Sequence, residues 1–130
     1  MRYIFVAVAA IIILTAVWFA LKGGLNMGGT SVSNAVIEMV RSDKDIILVD
    51  VRTPEEYREK RIPGSILLPD YEIRSRAAEV IPDKEAKIVV YCRSGRRSAQ
   101  AARVLKDMGY SNVYDLGGII DWPYETVSGE

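Results

Sequence analysis

A chain of 130 residues provides for one domain of ordinary size, whose core can fold without disulfide bonds. Its single cysteine excludes an internal disulfide, and the absence of histidine excludes Ser-His-Asp and Cys-His catalysis together with the commonest metal ligand. The 17 basic and 17 acidic residues are well interspersed, so the chain lacks the sustained basic face that nucleic-acid binding needs. We therefore predict no nucleic-acid partner, and any catalysis has to proceed without an imidazole base.

The first element along the chain is an apolar run, residues 3–21, that contains no charged residue. As a helix this run is long enough to cross the hydrocarbon core of a bilayer, and Arg2 and Lys22 bracket it. The alternative is a cleaved signal peptide, but that class has a shorter apolar region and small residues before its cleavage site, a pattern that Trp18 does not fit. We predict that residues 1–22 form a transmembrane anchor, with a signal segment as the alternative.

The segment that follows, residues 23–30, is rich in glycine and is predicted to be a flexible linker. The domain itself is assigned to residues 31–130. Because a short amino-terminal tail is easily left in the cytoplasm, we expect a membrane-anchored protein with its domain on the extracytoplasmic side. Cleavage of the first segment would instead make the domain secreted or periplasmic.

The domain begins with a predicted helix over residues 34–41, with Ser33 as its N-cap. The unbroken apolar run DIILVDV is typical of a strand that is covered on both faces. A second helix is predicted after this strand, because Thr53 can cap it, Pro54 suits its first position and Glu56 completes a capping box.

The remainder of the domain continues to alternate between the two kinds of element. RIPGSILLP predicts a turn and a short strand, YEIRSRAAEVI a helix, and residues 88–91 a second buried strand. A helix through SAQAARVLKDM is predicted to end at Gly109, and NVYDLGG predicts the last strand. This alternation predicts an α/β fold in which a central parallel β-sheet carries helices on both faces and binds ligands beyond the carboxyl ends of its strands.

The stretch CRSGRRS begins with the only cysteine, Cys92, at the predicted end of a strand. The backbone N–H groups of a strand-to-helix loop form a concavity for anions, and the following helix adds its positive end. Gly95 permits the tight backbone that such a loop needs, while Arg93, Arg96 and Arg97 add positive charge. These features favour thiolate over thiol, so we predict a lowered pKa and a nucleophilic role for Cys92. An inert thiol beside a solvated arginine cluster is the alternative.

The same loop resembles the active-site loop of the rhodanese family, in the pattern Cys-x-x-Gly-x-Arg-Ser, which maps onto Cys92, Gly95, Arg97 and Ser98. LVDVRTPEEYREKRIPGSILLP resembles the family's Asp-Val-Arg…Glu-Tyr…Ile-Pro-Gly region, and GYSNVYDLGGIIDWP resembles its Gly-Gly…Trp ending. The resemblance covers residues 32–122. It implies a rhodanese-like fold for the domain and does not extend to the predicted anchor.

What the resemblance implies is a sulfurtransferase that uses neither a cofactor nor a metal. In that family the thiolate takes the outer sulfur of a small anionic donor such as thiosulfate, becomes a persulfide and passes the sulfur to a thiophilic acceptor. Cys92 would be the nucleophile and carrier, Arg97 and the loop N–H groups would hold the donor, and Ser98 would hydrogen-bond the persulfide. The rest of the predicted substrate-binding loop consists of Arg93, Ser94, Gly95 and Arg96.

The Asp-Val-Arg…Glu-Tyr region of the resemblance contains Asp50, Arg52 and Glu56. We predict that these three residues support the site structurally. We interpret Arg52 and Glu56 as an ion pair that fixes the loop beside the sheet, without a catalytic role. The family often has Gly-His before Ile-Pro-Gly, whereas this chain has Lys60 and Arg61. Because of this departure, no property that the family owes to that histidine can be expected here. Lys60 and Arg61 also add positive charge at these positions.

Two rival functions start from the same fold or the same cysteine. Protein phosphatases with Cys-x5-Arg also place a cysteine in an anion-binding loop, but the position that would require arginine is Ser98 here, and Arg97 comes one residue earlier. The shorter loop favours sulfur over phosphate. The second rival is a membrane-tethered, non-enzymatic sulfur carrier or partner-binding module, which we rank below the enzyme because the nucleophile is present.

Overall fold

The structure, a computed structural model, describes residues 29–130, and residues 33–130 form one compact unit. Its helices are α1 (Gly29–Ser42), α2 (Pro54–Glu59), α3 (Ile73–Val80) and α4 (Arg96–Asp107). Its strands are β1 (Ile47–Asp50), β2 (Ile66–Leu67), β3 (Lys87–Cys92) and β4 (Asn112–Gly118). Single 3-10 turns precede α3 at Asp70–Glu72 and follow β4 at Ile119–Asp121.

The strands form one parallel sheet in the order β2-β1-β3-β4, which confirms the predicted parallel α/β architecture. β3 lies between β1 and β4, and Cys92 at its carboxyl end pairs with Gly118 of β4. The register between β3 and β4 shifts after Val90, so that Tyr91 lies opposite Gly117. This irregularity brings the two glycines of β4 beside the end of the strand that carries the thiol.

The core lies on both sides of the sheet, because successive strand residues point to opposite faces. One cluster joins β-strand residues such as Val90 to α3 and α4, and it includes Ala77 and Leu105. The other joins strand residues such as Val89 to α1 through Val36. β3 is buried along almost its whole length, which explains why it reads as a continuous apolar run.

Helix α1 begins earlier than the sequence predicted. It starts at Gly29 and runs through Ser33, so Ser33 is not its N-cap, and Gly29 and Thr30, assigned to the linker, are helical. Intrinsic propensity is a weak prior, and a residue that favours an N-cap does not stop a helix that continues through it. Within residues 29–130 no helix is long and apolar enough to cross a membrane. The predicted anchor, residues 1–22, lies outside the described residues.

Helix α2 begins as the sequence predicted. The Thr53 hydroxyl accepts a hydrogen bond from the Glu56 N–H at 3.3 Å, and the Glu56 carboxylate accepts one from the Thr53 N–H at 3.3 Å. Pro54 occupies the first turn, where its missing N–H leaves no helical hydrogen bond unmade. This reciprocal cap fixes the position of the Glu56 side chain in the first turn of the helix.

Candidate active site

The thiol sits in a tight loop between β3 and α4. β3 ends at Cys92, and α4 begins at Arg96 after Gly95, whose φ of +103° lies in the left-handed region that favours glycine. The Gly95 N–H donates a hydrogen bond to the Cys92 Sγ, with an N–S distance of 3.0 Å. The loop therefore folds its backbone around the sulfur within four consecutive residues, Cys92 to Gly95.

Gly118 provides the floor of this loop. A Cβ on Gly118 would overlap the carbonyl oxygen of Arg93 and lie 2.7 Å from the Cα of Ser94, and both obstructing atoms belong to the backbone. Gly95 likewise packs against Gly117, since a Cβ on Gly95 would lie 3.5 Å from the Gly117 Cα. In the sequence, Gly117 and Gly118 are visible only as the end of a predicted strand and as part of the Gly-Gly motif of the resemblance. Their role in admitting the loop depends on the register between β3 and β4, which a single sequence does not reveal.

The surroundings of Cys92 favour the thiolate. The residue is only 1% exposed, and burial raises the pKa of the thiol because the charged form loses water. This cause is the largest single one, but hydrogen bonds from the Ser98 side chain and from the backbone N–H groups of Ser94, Gly95 and Ser98 together outweigh it. The net effect lowers the pKa of Cys92. The largest lowering causes are hydrogen bonds from the loop, and the charge of Arg97 also interacts with Cys92, in line with the predicted effect of the arginines.

The three predicted arginines of the loop occupy different places. Arg93 and Arg96 are exposed, whereas Arg97 is half-buried. Both outer nitrogens of Arg97 bind Glu56, Nη1 to Oε1 at 2.7 Å and Nη2 to Oε2 at 3.0 Å. Arg97 therefore joins α4 to α2, and its guanidinium does not stand free beside the thiol.

The predicted ion pair between Arg52 and Glu56 is wrong. Arg52 instead binds Asp50, with its Nη2 at 2.7 Å from Oδ2, and both side chains are buried. Arg52 Nη2 also donates to the carbonyl oxygen of Lys60. Glu56 is taken by Arg97, and hydrogen bonding from that guanidinium lowers the pKa of Glu56 to about 2. The three residues thus belong to two separate ion pairs, Asp50 with Arg52 and Glu56 with Arg97, and their support of the site stays a prediction.

A cleft of about 440 Å³ borders the loop at Arg93. Charged residues of both signs line it: Arg52, Glu56, Glu59, Lys60 and Arg93. Ile119 and Ile120, which follow β4, complete the lining. Lys60, which follows α2, lies on this cleft. Its neighbour Arg61 is directed elsewhere, to the carbonyl oxygen of Gly129 and the ring of Tyr57.

Taken together, the fold and this loop define an α/β enzyme with a cysteine at the carboxyl end of a central parallel strand. Residues 33–124 match the family model of the rhodanese-like domain, and the chain belongs to that family. Its relatives place it among sulfur-transferring enzymes.

Two curated relatives are similar over most of their own length. The thiosulfate sulfurtransferase PspE of Escherichia coli K12 is 41% identical over 81 residues, covering 62% of this chain and 78% of that protein. A sulfurtransferase of Allochromatium vinosum is 41% identical over 91 residues, covering 69% and 83%. Among solved structures, a rhodanese with anions from E. coli superimposes with a TM-score of 0.61 at 39% identity, covering 65% of this chain and 99% of that one.

Proposed function

We propose that this protein is a sulfurtransferase that moves a sulfane sulfur from thiosulfate or a similar anionic donor to a thiophilic acceptor through a persulfide on Cys92. The observation that carries the proposal is the set of hydrogen-bonding groups around one sulfur. The Gly95 N–H donates to Sγ at 3.0 Å, and the Cys92 S–H donates to the Ser98 hydroxyl oxygen at 3.6 Å. Once the thiol is ionised, the Ser98 O–H can donate to the sulfur instead, which lowers the pKa of Cys92. Donors in this arrangement stabilise negative charge on a sulfur atom, whether it is a thiolate or a persulfide.

The chemistry needs no proton transfer. The Cys92 thiolate attacks the outer sulfur of thiosulfate, an S–S bond forms to Sγ, the original S–S bond breaks, and its electron pair leaves with sulfite. An acceptor such as cyanide then attacks the outer sulfur of the persulfide, and the Cys92 thiolate is regenerated. Because a thiolate is the nucleophile in this reaction, a lowered pKa replaces the histidine base that the chain lacks.

The test is direct detection of the intermediate. Incubation with thiosulfate should add the mass of one sulfur atom at Cys92, and cyanide should remove it with release of thiocyanate. Cys92→Ser should abolish both steps, because the chain has no histidine to activate a serine hydroxyl. Failure of every sulfane donor to load the wild-type thiol would contradict the proposal.

One outcome would favour the rival function. If a protein persulfide loads Cys92 but thiosulfate does not, the domain acts as a sulfur carrier, and the membrane-tethered carrier hypothesis replaces the thiosulfate enzyme. The two functions share the thiolate-stabilising loop and differ only in the donor that reaches it.

A further inference from the structure

The cations around the loop fall into two groups. Arg52 and Arg97 are each committed to a carboxylate, Asp50 in the first case and Glu56 in the second. Both pairs have close contacts of 2.7 Å, and the Arg97 pair uses both outer nitrogens. Bidentate pairs of this kind are the strongest arginine–carboxylate contacts, so the charge of each guanidinium is largely compensated by its own carboxylate.

Lys60 and Arg93 form the second group. Both side chains are exposed, and both line the 440 Å³ cleft. Neither forms a salt bridge with any other residue in the described part of the chain. These two side chains therefore carry positive charge on the cleft that other described residues leave uncommitted.

Although the two side chains are exposed, their backbones are held in place. The Lys60 N–H donates to the Glu56 carbonyl oxygen at 3.1 Å as the C-cap of α2, and the Lys60 carbonyl oxygen accepts from the buried Arg52. The Arg93 carbonyl oxygen accepts from the Ile120 N–H at 3.3 Å. Two separate elements thus present their cations to one cleft from fixed positions, which reduces the ordering cost of gripping a ligand between them.

We propose that Lys60 and Arg93 form the anion-binding subsite for the sulfur donor, in place of Arg97. The inference rests on the proposed function and adds the residues that select its substrate. The ligand class is the small sulfane-sulfur anion, with the sulfonate or sulfonyl end of the donor between the two cations. The charge of Glu59 on the same cleft repels these anions, and Ile119 and Ile120 give the cleft an apolar surface.

A comparison of two sulfur donors that differ in charge distinguishes the contribution of this subsite to binding from the sulfur-transfer step itself. Thiosulfate carries two negative charges, and methanethiosulfonate carries one negative charge and a methyl group. In both reactions the thiolate forms a bond to the outer sulfur, the S–S bond of the donor breaks, and its electron pair leaves with sulfite or methanesulfinate. Loss of a cation should therefore weaken the binding of thiosulfate more than that of methanethiosulfonate.

The experiment measures Cys92 loading by each donor in the full chain carrying Lys60→Gln, Arg93→Gln or both. Each single change should raise the KM for thiosulfate by roughly three- to tenfold, with kcat nearly unchanged, because the lost contact binds the donor before and during the reaction. Glu59→Gln should lower the same KM by roughly two- to threefold, because it removes a repulsive charge. The exposed Lys44→Gln and Arg103→Gln make the same charge changes away from the cleft and should leave both parameters unchanged.

Salt dependence provides a second readout. The wild-type KM for thiosulfate should rise with ionic strength, and the double variant should have lost most of this dependence. Unchanged KM values in the Lys60 and Arg93 variants, with normal loading of the wild type, would overturn the subsite and leave the proposed function intact. If neither donor loads the wild-type thiol, the proposed function fails, and the subsite fails with it.

Discussion

At the residue scale, Ser98 has one hydroxyl proton and several acceptors around it. Its Oγ lies 3.1 Å from the Gly95 carbonyl oxygen, 3.3 Å from that of Gly117 and 3.6 Å from the Cys92 Sγ. While Cys92 is a thiol, its S–H can donate to the Ser98 oxygen, and the serine proton is free for a carbonyl. Once Cys92 has lost its proton, the serine O–H is the only side-chain donor among residues 29–130 that contacts the sulfur. Ionisation of the thiol should therefore turn the Ser98 O–H away from the carbonyl oxygens of Gly95 and Gly117 and toward the sulfur.

The first prediction concerns this hydroxyl. Ser98→Ala removes the side-chain hydrogen bond that lowers the pKa of Cys92, while burial still raises it, so the pKa of the variant should be higher than that of the wild type. Loading at neutral pH should slow by roughly three- to tenfold, because a smaller fraction of the thiol is ionised. The rate measured against pH should recover at alkaline pH, where both proteins are thiolates.

Ser75→Ala is the matched control for this change. The Ser75 hydroxyl donates to a carbonyl oxygen at 3.1 Å, three residues earlier in the chain, as Ser98 does to Gly95, but it is exposed and is not among the groups that contact the thiol. Its pH profile should coincide with that of the wild type. A Ser98→Ala profile with an unshifted midpoint would show that the backbone N–H groups alone set the pKa.

The sequence was sufficient to predict the loop that follows the thiol but not the partners of the arginines. The thiol, the left-handed glycine and the start of α4 lie within a few residues of one another, so local geometry connects them. Arg97 and Glu56 are 41 positions apart, and Arg52 had Asp50 two positions away as a closer alternative. Choosing between carboxylates requires knowing which element lies across from which, and that is a tertiary property.

At the scale of elements, the Glu56–Arg97 pair ties the six-residue α2 to the first turn of α4. α2 buries no side chain fully, so its position depends on its cap and on this ion pair. The pair is half-buried and bidentate, which places it above the usual exposed salt bridge in strength. We expect this ion pair to fix the position of the Cys92 loop relative to the cleft.

The second prediction concerns how much the Glu56–Arg97 pair stabilises the fold and how this stabilisation is lost at acid pH. A double-mutant cycle with Glu56→Gln and Arg97→Gln should give a coupling free energy of unfolding of about 1 kcal/mol at neutral pH. Because folding lowers the pKa of Glu56 from 4.5 to about 2, the stabilisation is complete above pH 4.5 and is lost as the pH falls toward 2. Chemical unfolding of the four proteins at several pH values measures it.

The exposed pair of Arg76 and Glu72, spaced four residues apart on one turn, provides the comparison for this cycle. Its coupling should be only about 0.3–0.5 kcal/mol. Equal coupling in the two cycles, or a Glu56–Arg97 coupling that persists at pH 2, would mean that the pair does not hold α2 to α4 in the way described.

The elements themselves were predictable to different degrees. α2 carries its own start signal in Thr53, Pro54 and Glu56, and β3 is marked by an apolar run, so both were found from local patterns. β2 has only two residues and lies within the segment predicted as a turn and a short strand, whereas the shift in register beside Val90 has no local signature. Strand pairing joins residues that are distant in the chain, so its irregularities cannot be found by reading one segment at a time.

At the scale of the whole molecule, the domain and the segment before it have opposite compositions. Residues 33–130 form a compact unit with two core clusters, and they contain almost all of the charged residues of the chain. Residues 3–21 contain no charged residue. Because the cost of placing a charge in hydrocarbon is several kcal/mol, an uncharged run of this length is compatible with a bilayer, and the charged domain is not.

The last prediction is that residues 1–22 hold the protein on a membrane, with its domain on the extracytoplasmic side. The full chain should sediment with membranes and resist extraction by alkaline carbonate, whereas a chain shortened to begin at Gly29, which keeps α1 whole, should remain in the supernatant and still load sulfur at Cys92. Introducing Ile12→Arg and Ile13→Arg into the full chain should release it, because two charges cannot be kept in the bilayer core without a partner. Protease added to sealed cells with a permeable outer layer should degrade an extracytoplasmic domain and spare a cytoplasmic one. Recovery of a freely soluble chain that lacks these residues would instead identify them as a cleaved signal segment.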